Sequence, residues 1–223
     1  MTRSATARRR LWGAVAVLTL GSVAALALTM AAVLGDTTFE PWPDGTVHGP
    51  WLAVFDGDGT SGSDGDTIVL RPRRSVVDFE THAALVVSVA SYRDVDLDLR
   101  MRTVAQLRRP RPNPWEVAWV VWDYTDNDHF YYLALKPNGW ELGKRDPAYP
   151  GGQRFLATGS PAFPPGPWYS VHVAQRGTTT TVRVGDDVLR VETDRQRPYT
   201  SGRVGLYTED AEAEFDSIGV SGA

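Results

Sequence analysis

The chain contains no cysteine, so it has no disulfide, no thiol nucleophile and no thiolate metal ligand. An exported domain built this way must hold on its core alone, which ~180 residues can supply. Histidine is scarce. His48, His82, His129 and His172 are the four, and no two share the spacing of paired metal ligands. His129 sits beside a turn in an aromatic stretch, where it can serve as a general base or simply hold the turn. No Gly-x-Ser-x-Gly element occurs, which excludes the serine-hydrolase elbow. Lysine is nearly missing too: arginine carries almost all the positive charge, with Lys136 and Lys144 the exceptions. Beyond one N-terminal run, no segment shows a convincing helical period.

The formal net charge of −4 comes from 23 basic and 27 acidic residues. Arg3, Arg8, Arg9 and Arg10 precede the first apolar run; setting those four aside leaves 19 basic against 27 acidic residues, or −8 for the remainder. An acidic domain of this kind argues against nucleic acid as a partner.

Residues 11–34 carry no charge. A run of ~20 apolar residues suffices to cross a bilayer. The arginines before it place residues 1–10 in the cytoplasm and the rest outside. The length favours an uncleaved transmembrane signal anchor. A signal peptide cleaved near Ala25-Leu26-Ala27 is the alternative. Either way the expected location is extracytoplasmic, at the cell membrane for the anchor and secreted for the cleaved form. Residues 35–50, rich in proline and glycine, read as a tether, and 51–221 as the folded domain.

That domain reads as a succession of short strands. Residues 115–124 and 129–136 are rich in aromatic and β-branched side chains and flank the polar Asp126-Asn127-Asp128. Pro137-Asn138-Gly139 then supplies a tight hairpin turn. Residues 95–103 alternate, with Leu97, Leu99 and Met101 on one side and Asp98, Arg100 and Arg102 on the other. Further strands are expected at 51–55, 67–71, 82–90, 153–158, 168–175, 179–184, 188–192, 202–207 and 213–220. About twelve strands at intervals of ~10 residues predict an antiparallel β-sandwich. Asp56 to Asp66 tempts comparison with a calcium loop. However, Ser61 stands where the EF-hand needs glycine and Thr67 where it needs glutamate, so the stretch reads as a solvated loop. Glu209 to Glu214 places Asp210, Glu212 and Glu214 on one face, which reads as a solvated outer surface rather than a catalytic pair.

Several stretches in order resemble the concanavalin A-like lectin/glucanase jelly rolls. They are the arginine-rich strand ending at Arg102, Trp115-Glu116-Val117, Asp128 to Leu133, Asn138-Gly139-Trp140-Glu141, Gln153-Arg154-Phe155-Leu156, Gly202 to Tyr207, and Phe215-Asp216. Within that group the chain is similar to secreted bacterial domains near the 3-keto-disaccharide hydrolases and laminin G-like modules, over roughly residues 45–221. The resemblance implies an all-β jelly roll, which the uncharged run at 11–34 places behind one N-terminal transmembrane helix. It also implies one structural calcium at Asp216. Activity does not follow, because one fold hosts many functions.

Alternation on 95–103, 115–124 and 129–136, taken as neighbours in one sheet, assigns Leu97, Leu99, Val117, Trp119, Leu133 and Leu135 to the core. Arg102, Glu116 and Lys136 then form a polar face, which Trp140, Glu141, Lys144 and Gln153 extend into a ligand-binding surface. The expected function is a membrane-anchored extracytoplasmic domain that binds a glycan or cell-envelope polymer, with no catalytic residue assigned. A glycan-active hydrolase of the 3-keto-disaccharide type and a structural envelope domain are the alternatives.

Overall fold

A computed structural model describes residues 38–223, so the tail and apolar run at 1–34 lie outside the described residues. Among the described residues, no helix is long and apolar enough to cross a membrane.

The strands are β1 (Glu40–Pro41), β2 (Val47–His48), β3 (Trp51–Phe55), β4 (Thr60–Asp64), β5 (Thr67–Arg71), β6 (Ala83–Ser88), β7 (Tyr92–Arg93), β8 (Asp96–Gln106) and β9 (Ala118–Asp126). They continue with β10 (His129–Lys136), β11 (Gly139–Arg145), β12 (Gln153–Gly159), β13 (Tyr169–Arg176), β14 (Thr179–Val184), β15 (Asp187–Thr193), β16 (Ser201–Glu209) and β17 (Ala211–Ser221). One sheet of eight runs β1-β4-β5-β17-β8-β13-β14-β15; the other, of nine, runs β12-β11-β10-β9-β16-β6-β3-β2, with β7 beside β16. The sandwich anticipated from strand spacing is therefore present, and every pairing is antiparallel.

The hairpin expected at Pro137-Asn138 closes with Lys136 opposite Gly139. Gly139 sits at φ 138°, and a Cβ there would overlap the Gly159 carbonyl, so glycine is required on both counts.

The main core lies between the sheets. Leu97, Leu99, Val173 and Phe215 from the first meet Val120, Trp122, Leu133 and Leu206 from the second. Each such side chain contributes roughly 1.5–3 kcal/mol by leaving water. A second apolar cluster covers the opposite face of the nine-stranded sheet, with Leu85, Val87, Trp119, Val121, Phe130 and Tyr132 as members.

Three expectations are corrected here. The proposed tether is partly folded: β1 pairs with β4, β2 pairs with β3, and Trp42 is buried between them. The solvated loop holds a strand, β4, because Thr60 to Asp64 pairs with β5 along its whole length and so satisfies a backbone whose residue types disfavour strands. The three strands chosen for one polar face do not share a sheet: β8 belongs to the first, β9 and β10 to the second. Within the second, Leu133 lies opposite Val120 and Tyr132 opposite Val121. Trp119 therefore faces outward with Tyr132, while Val120 and Trp122 face the core with Leu133. Alternation sorts one strand into two sets. It does not say which set of the next strand shares the face, and here both sets are buried.

Candidate functional site

The outer face of the nine-stranded sheet is built by period-two alternation from Leu85 on β6, Trp119 on β9, Tyr132 on β10, Glu141 on β11 and Tyr207 and Glu209 on β16. Trp119 is its centre. Its ring lies 4.6 Å from that of Tyr132 and 5.3 Å from that of Tyr207, and its indole N–H donates to the Trp115 carbonyl at 2.8 Å. Tyr132 fits because β11 carries Gly143 opposite it; a Cβ there would overlap the tyrosine hydroxyl.

Each flanking tyrosine holds a carboxylate. Tyr207 donates to Glu209 at 2.6 Å, and Tyr132 donates to Glu141 at 2.8 Å. Glu141 also accepts from the Lys136 ammonium at 2.6 Å, and the Gln153 amide donates to the Tyr132 hydroxyl. Burial raises the carboxyl of Glu209 above its ordinary pKa, although the Tyr207 hydroxyl and the Arg145 charge oppose this. Burial likewise pushes up the phenols of Tyr132 and Tyr207, so both remain donors at neutral pH.

Two clefts open on this face. One, of about 380 Å3, has Trp119, Phe130 and Tyr207 in its lining with Arg145, Gln153 and Glu209. The other, of about 580 Å3, is lined by Leu52, Val54, Tyr124 and Arg203 among others. Asn127 is in the lining of both. Chemically this is a groove with aromatic edges, hydrogen-bonding groups of both kinds and one carboxylate biased towards its protonated form.

No protein-family model matches the chain, and a search of curated proteins finds no match. Solved structures do match it. A carbohydrate-binding module from Bacillus subtilis superposes with a TM-score of 0.61 at 15% identity, over 80% of this chain and 99% of that one. A β-glucanase from Bacillus licheniformis gives 0.51 at 9% identity over 84% and 99%. A pseudo β-1,3-glucanase of Mycobacterium tuberculosis gives 0.51 at 16% over 82% and 95%. The fold is the concanavalin A-like jelly roll. Identities this low speak to the fold alone.

On this jelly roll the anticipated ligand residues divide. Lys136, Glu141 and Gln153 do meet, around Tyr132. Arg102 lies on the other sheet, bonded to Glu214 at 2.8 Å and stacked 4.7 Å over Trp168. Glu116 is buried before β9, where it accepts from Arg108 at 2.5 Å and from Asn113; this pair, with Asp210, secures the segment between β8 and β9. Trp140 and Lys144 point the opposite way from Glu141, since residues an odd number of positions apart on β11 lie on opposite faces. Trp140 packs in the core. Lys144 is wholly buried, donates to Asp194 at 2.7 Å and lies among the rings of Tyr131, Tyr149 and Tyr199.

Glu209, Tyr207 and Arg145 were not anticipated. Their signal was local: Tyr207 and Glu209 stand two apart on a strand whose alternate residue, Leu206, is apolar. The acidic run itself divides. Asp210 is buried against Arg108, Glu212 bonds Arg71 and Glu214 bonds Arg102.

Asp216 lies 3.5 Å from the Arg100 guanidinium and accepts from the Ser217 backbone N–H. Among the described residues, the group of three acid or histidine side chains that converges is Asp96, Asp98 and His172, on the outside of the eight-stranded sheet. Asp216 has a cation for a neighbour and no converging carboxylates. Calcium takes six to eight oxygens, so an ion at Asp216 would need backbone carbonyls to complete its shell.

Proposed function

We propose that the domain binds a glycan along the outer face of the nine-stranded sheet and does not cut it. The observation that carries this reading is the cleft beside Trp119. Half-buried Phe55 and Tyr207 offer ring surface, while Arg145, Gln153 and Glu209 offer donors and an acceptor, the pairing that a hydroxylated ring needs. The likeness to a carbohydrate-binding module and a pseudo-glucanase lends support. The test is a glycan array probed with the full chain, followed by calorimetry on any hit with Gln153→Ala and Glu209→Gln. Loss of binding in both variants, at unchanged melting temperature, supports the groove. Normal binding in both removes it.

A second reading rests on Glu209 itself. A carboxyl raised by burial is what a glycosidase uses as general acid, and Asp128 lines the same cleft. New reducing ends from a bound glycan, lost in Glu209→Gln, would replace the binding module with a hydrolase.

The proposed setting is the outer surface of the cell membrane, with residues 11–34 as the anchor. Support comes from the uncharged length and the arginines before it. N-terminal sequencing of membrane-extracted protein tests it: a mature chain beginning near Thr29 would refute the anchor.

A further inference from the structure

The cleft of about 580 Å3 on the outer face has a chemistry of its own. Its lining is apolar at Leu52 and Val54 of β3 and Val87 of β6, beside the ring of Tyr124 on β9. One cation stands among them. Arg203 lies on β16 with Tyr124 opposite it in register, while the next residue, Val204, faces the core. Arg203 is half-buried, yet its guanidinium has no ion pair and no hydrogen bond among the described residues. The arginine of the other cleft differs, for Arg145 reaches Asp128 at 3.3 Å.

A second free donor shares the lining. Tyr124 donates to Asn127 Oδ1 at 2.8 Å, so the Asn127 oxygen is taken, and its amide N–H groups have no acceptor among the described residues. Burial raises the Tyr124 phenol, against the Arg203 charge, so this hydroxyl stays a donor at neutral pH. The one acid of the lining, Asp126, has Oδ1 engaged by the Asp128 backbone N–H at 2.9 Å and by His129 Nδ1 at 2.8 Å.

We propose that this cleft binds the carboxylate of an acidic sugar, with Arg203 as its anchor. The inference rests on the reading that a glycan meets this face, and it names that glycan as acidic. A guanidinium presents a planar fork that a carboxylate matches with two parallel hydrogen bonds. Arg203 and Asn127 both lack an acceptor, and an ionised carboxylate brings acceptors only. A neutral ring seated here would strip water from the guanidinium and return no charge, which is costly. Arg203 repels an ammonium group, and Asp126 opposes a doubly charged phosphate. The volume exceeds what a lone small anion fills and lies in the range of small-molecule sites, roughly 300–1,000 Å3. The apolar lining suits the C–H face of a pyranose, and the exposed Ser91 and Ser201 add hydroxyls for those of the ring.

The test is a ligand-detected NMR titration of the full chain in a nonionic, sugar-free detergent. The probes are the methyl glycosides of glucuronate, galacturonate and mannuronate. Each is paired with its methyl ester, which keeps the ring and removes the charge. Galactose 6-sulfate is the competing anion. At least one uronate should bind saturably, and its ester about tenfold more weakly, the loss of one charge-assisted pair. Arg203→Gln should bring the uronate down to the affinity of its ester. Arg203→Lys should restore only part of it, since an ammonium lacks the fork. Neither variant breaks an ion pair, so the melting temperature should not move. If Arg203→Gln does not fold, Asn127→Asp serves instead: it keeps an acceptor for Tyr124 and sets a charge against the carboxylate. The proposal is overturned if uronate and ester bind alike, if Arg203→Gln binds the uronate normally, if no uronate binds, or if only galactose 6-sulfate binds. The cleft beside Trp119 is judged separately. Uronate binding that needs Arg203 and survives Gln153→Ala and Glu209→Gln sustains this site whatever becomes of that one. A neutral glycan lost in those two variants, with no uronate bound, removes this site and keeps that one.

Discussion

The two sheets solve the problem of their outer faces in opposite ways. On the eight-stranded sheet, alternation is clean and the exposed side chains pair off: Arg71 with Glu212, Arg102 with Glu214, Arg176 with Asp96 and His172 with Asp98. Such exposed pairs contribute ~0–1 kcal/mol each. The nine-stranded sheet is buried on both faces along β9, β10 and β11, and carries its carboxylates under tyrosine hydroxyls. A charged face is therefore a weak guide to a site. The sheet that is more apolar outside, with a few polar groups held in fixed positions, carries two clefts on that outer face.

This contrast is sharpest for ion pairs removed from water. Arg108→Ala strands Glu116 and Asp210 as buried charges, and an uncompensated buried charge costs about 3–5 kcal/mol. Arg102→Ala, on the exposed sheet, should cost under ~1 kcal/mol. Urea denaturation of the two variants compares them directly. Equal losses would erase the distinction between the buried connector and the exposed sheet face.

Tryptophans offer the same comparison. Trp119→Ala opens a cavity between Tyr132 and Tyr207 and should cost about 3–5 kcal/mol. Trp168→Ala removes only the stacking of Arg100 and Arg102, worth about 1 kcal/mol. Thermal melts of both variants test this ordering.

Asp123 gives a pH signature to the doubly buried sheet. It occupies β9 at φ 51°, accepts from the Gln175 amide at 2.7 Å, and is raised by burial from 3.8 to about 6. A carboxyl whose folded pKa exceeds its unfolded one favours folding while protonated. Its contribution is complete below pH 3.8 and is lost as pH rises through about 6. Asp123→Asn keeps an acceptor and tolerates positive φ, so it should be more stable than the parent above pH 7, by on the order of 2–3 kcal/mol at ~1.4 kcal/mol per pKa unit. The gain should shrink to nothing near pH 4. A gain independent of pH would show that the charge on Asp123 is not its source.

The smallest effects concern ligand. Gln153→Ala should weaken glycan binding about tenfold, equivalent to ~1.4 kcal/mol, and Arg102→Ala should leave it unchanged. Calorimetry that returns the reverse order would move the site to the eight-stranded sheet.

Most strands were legible because Leu97, Leu99 and Met101 alternate with charges, and because Pro137-Asn138-Gly139 marks its hairpin without ambiguity. β4 was hidden because Thr-Ser-Gly-Ser-Asp has the composition of a loop and becomes a strand only between two partners. Half the candidate site was hidden for a different reason. Lys136, Glu141 and Gln153 could be found on their strands, but Glu209 comes from a strand distant in sequence, and its partners on the face follow from a sheet order that no local pattern encodes. The buried state of Glu116 was equally invisible: its companions Arg108 and Asp210 lie 8 and 94 positions away.

The two lysines have a practical consequence. Lys136 is held by Glu141 with its side chain 14% exposed, and Lys144 is enclosed entirely by Asp194 and three tyrosines. An acylating reagent added to the native domain should find almost no ε-amine to modify, and a protease that cuts after lysine should find no accessible bond at position 144. Mass spectrometry of acylation at Lys144 would then serve as a clock for the opening of the tyrosine-lined end of the sandwich, read from a single residue without any engineered reporter.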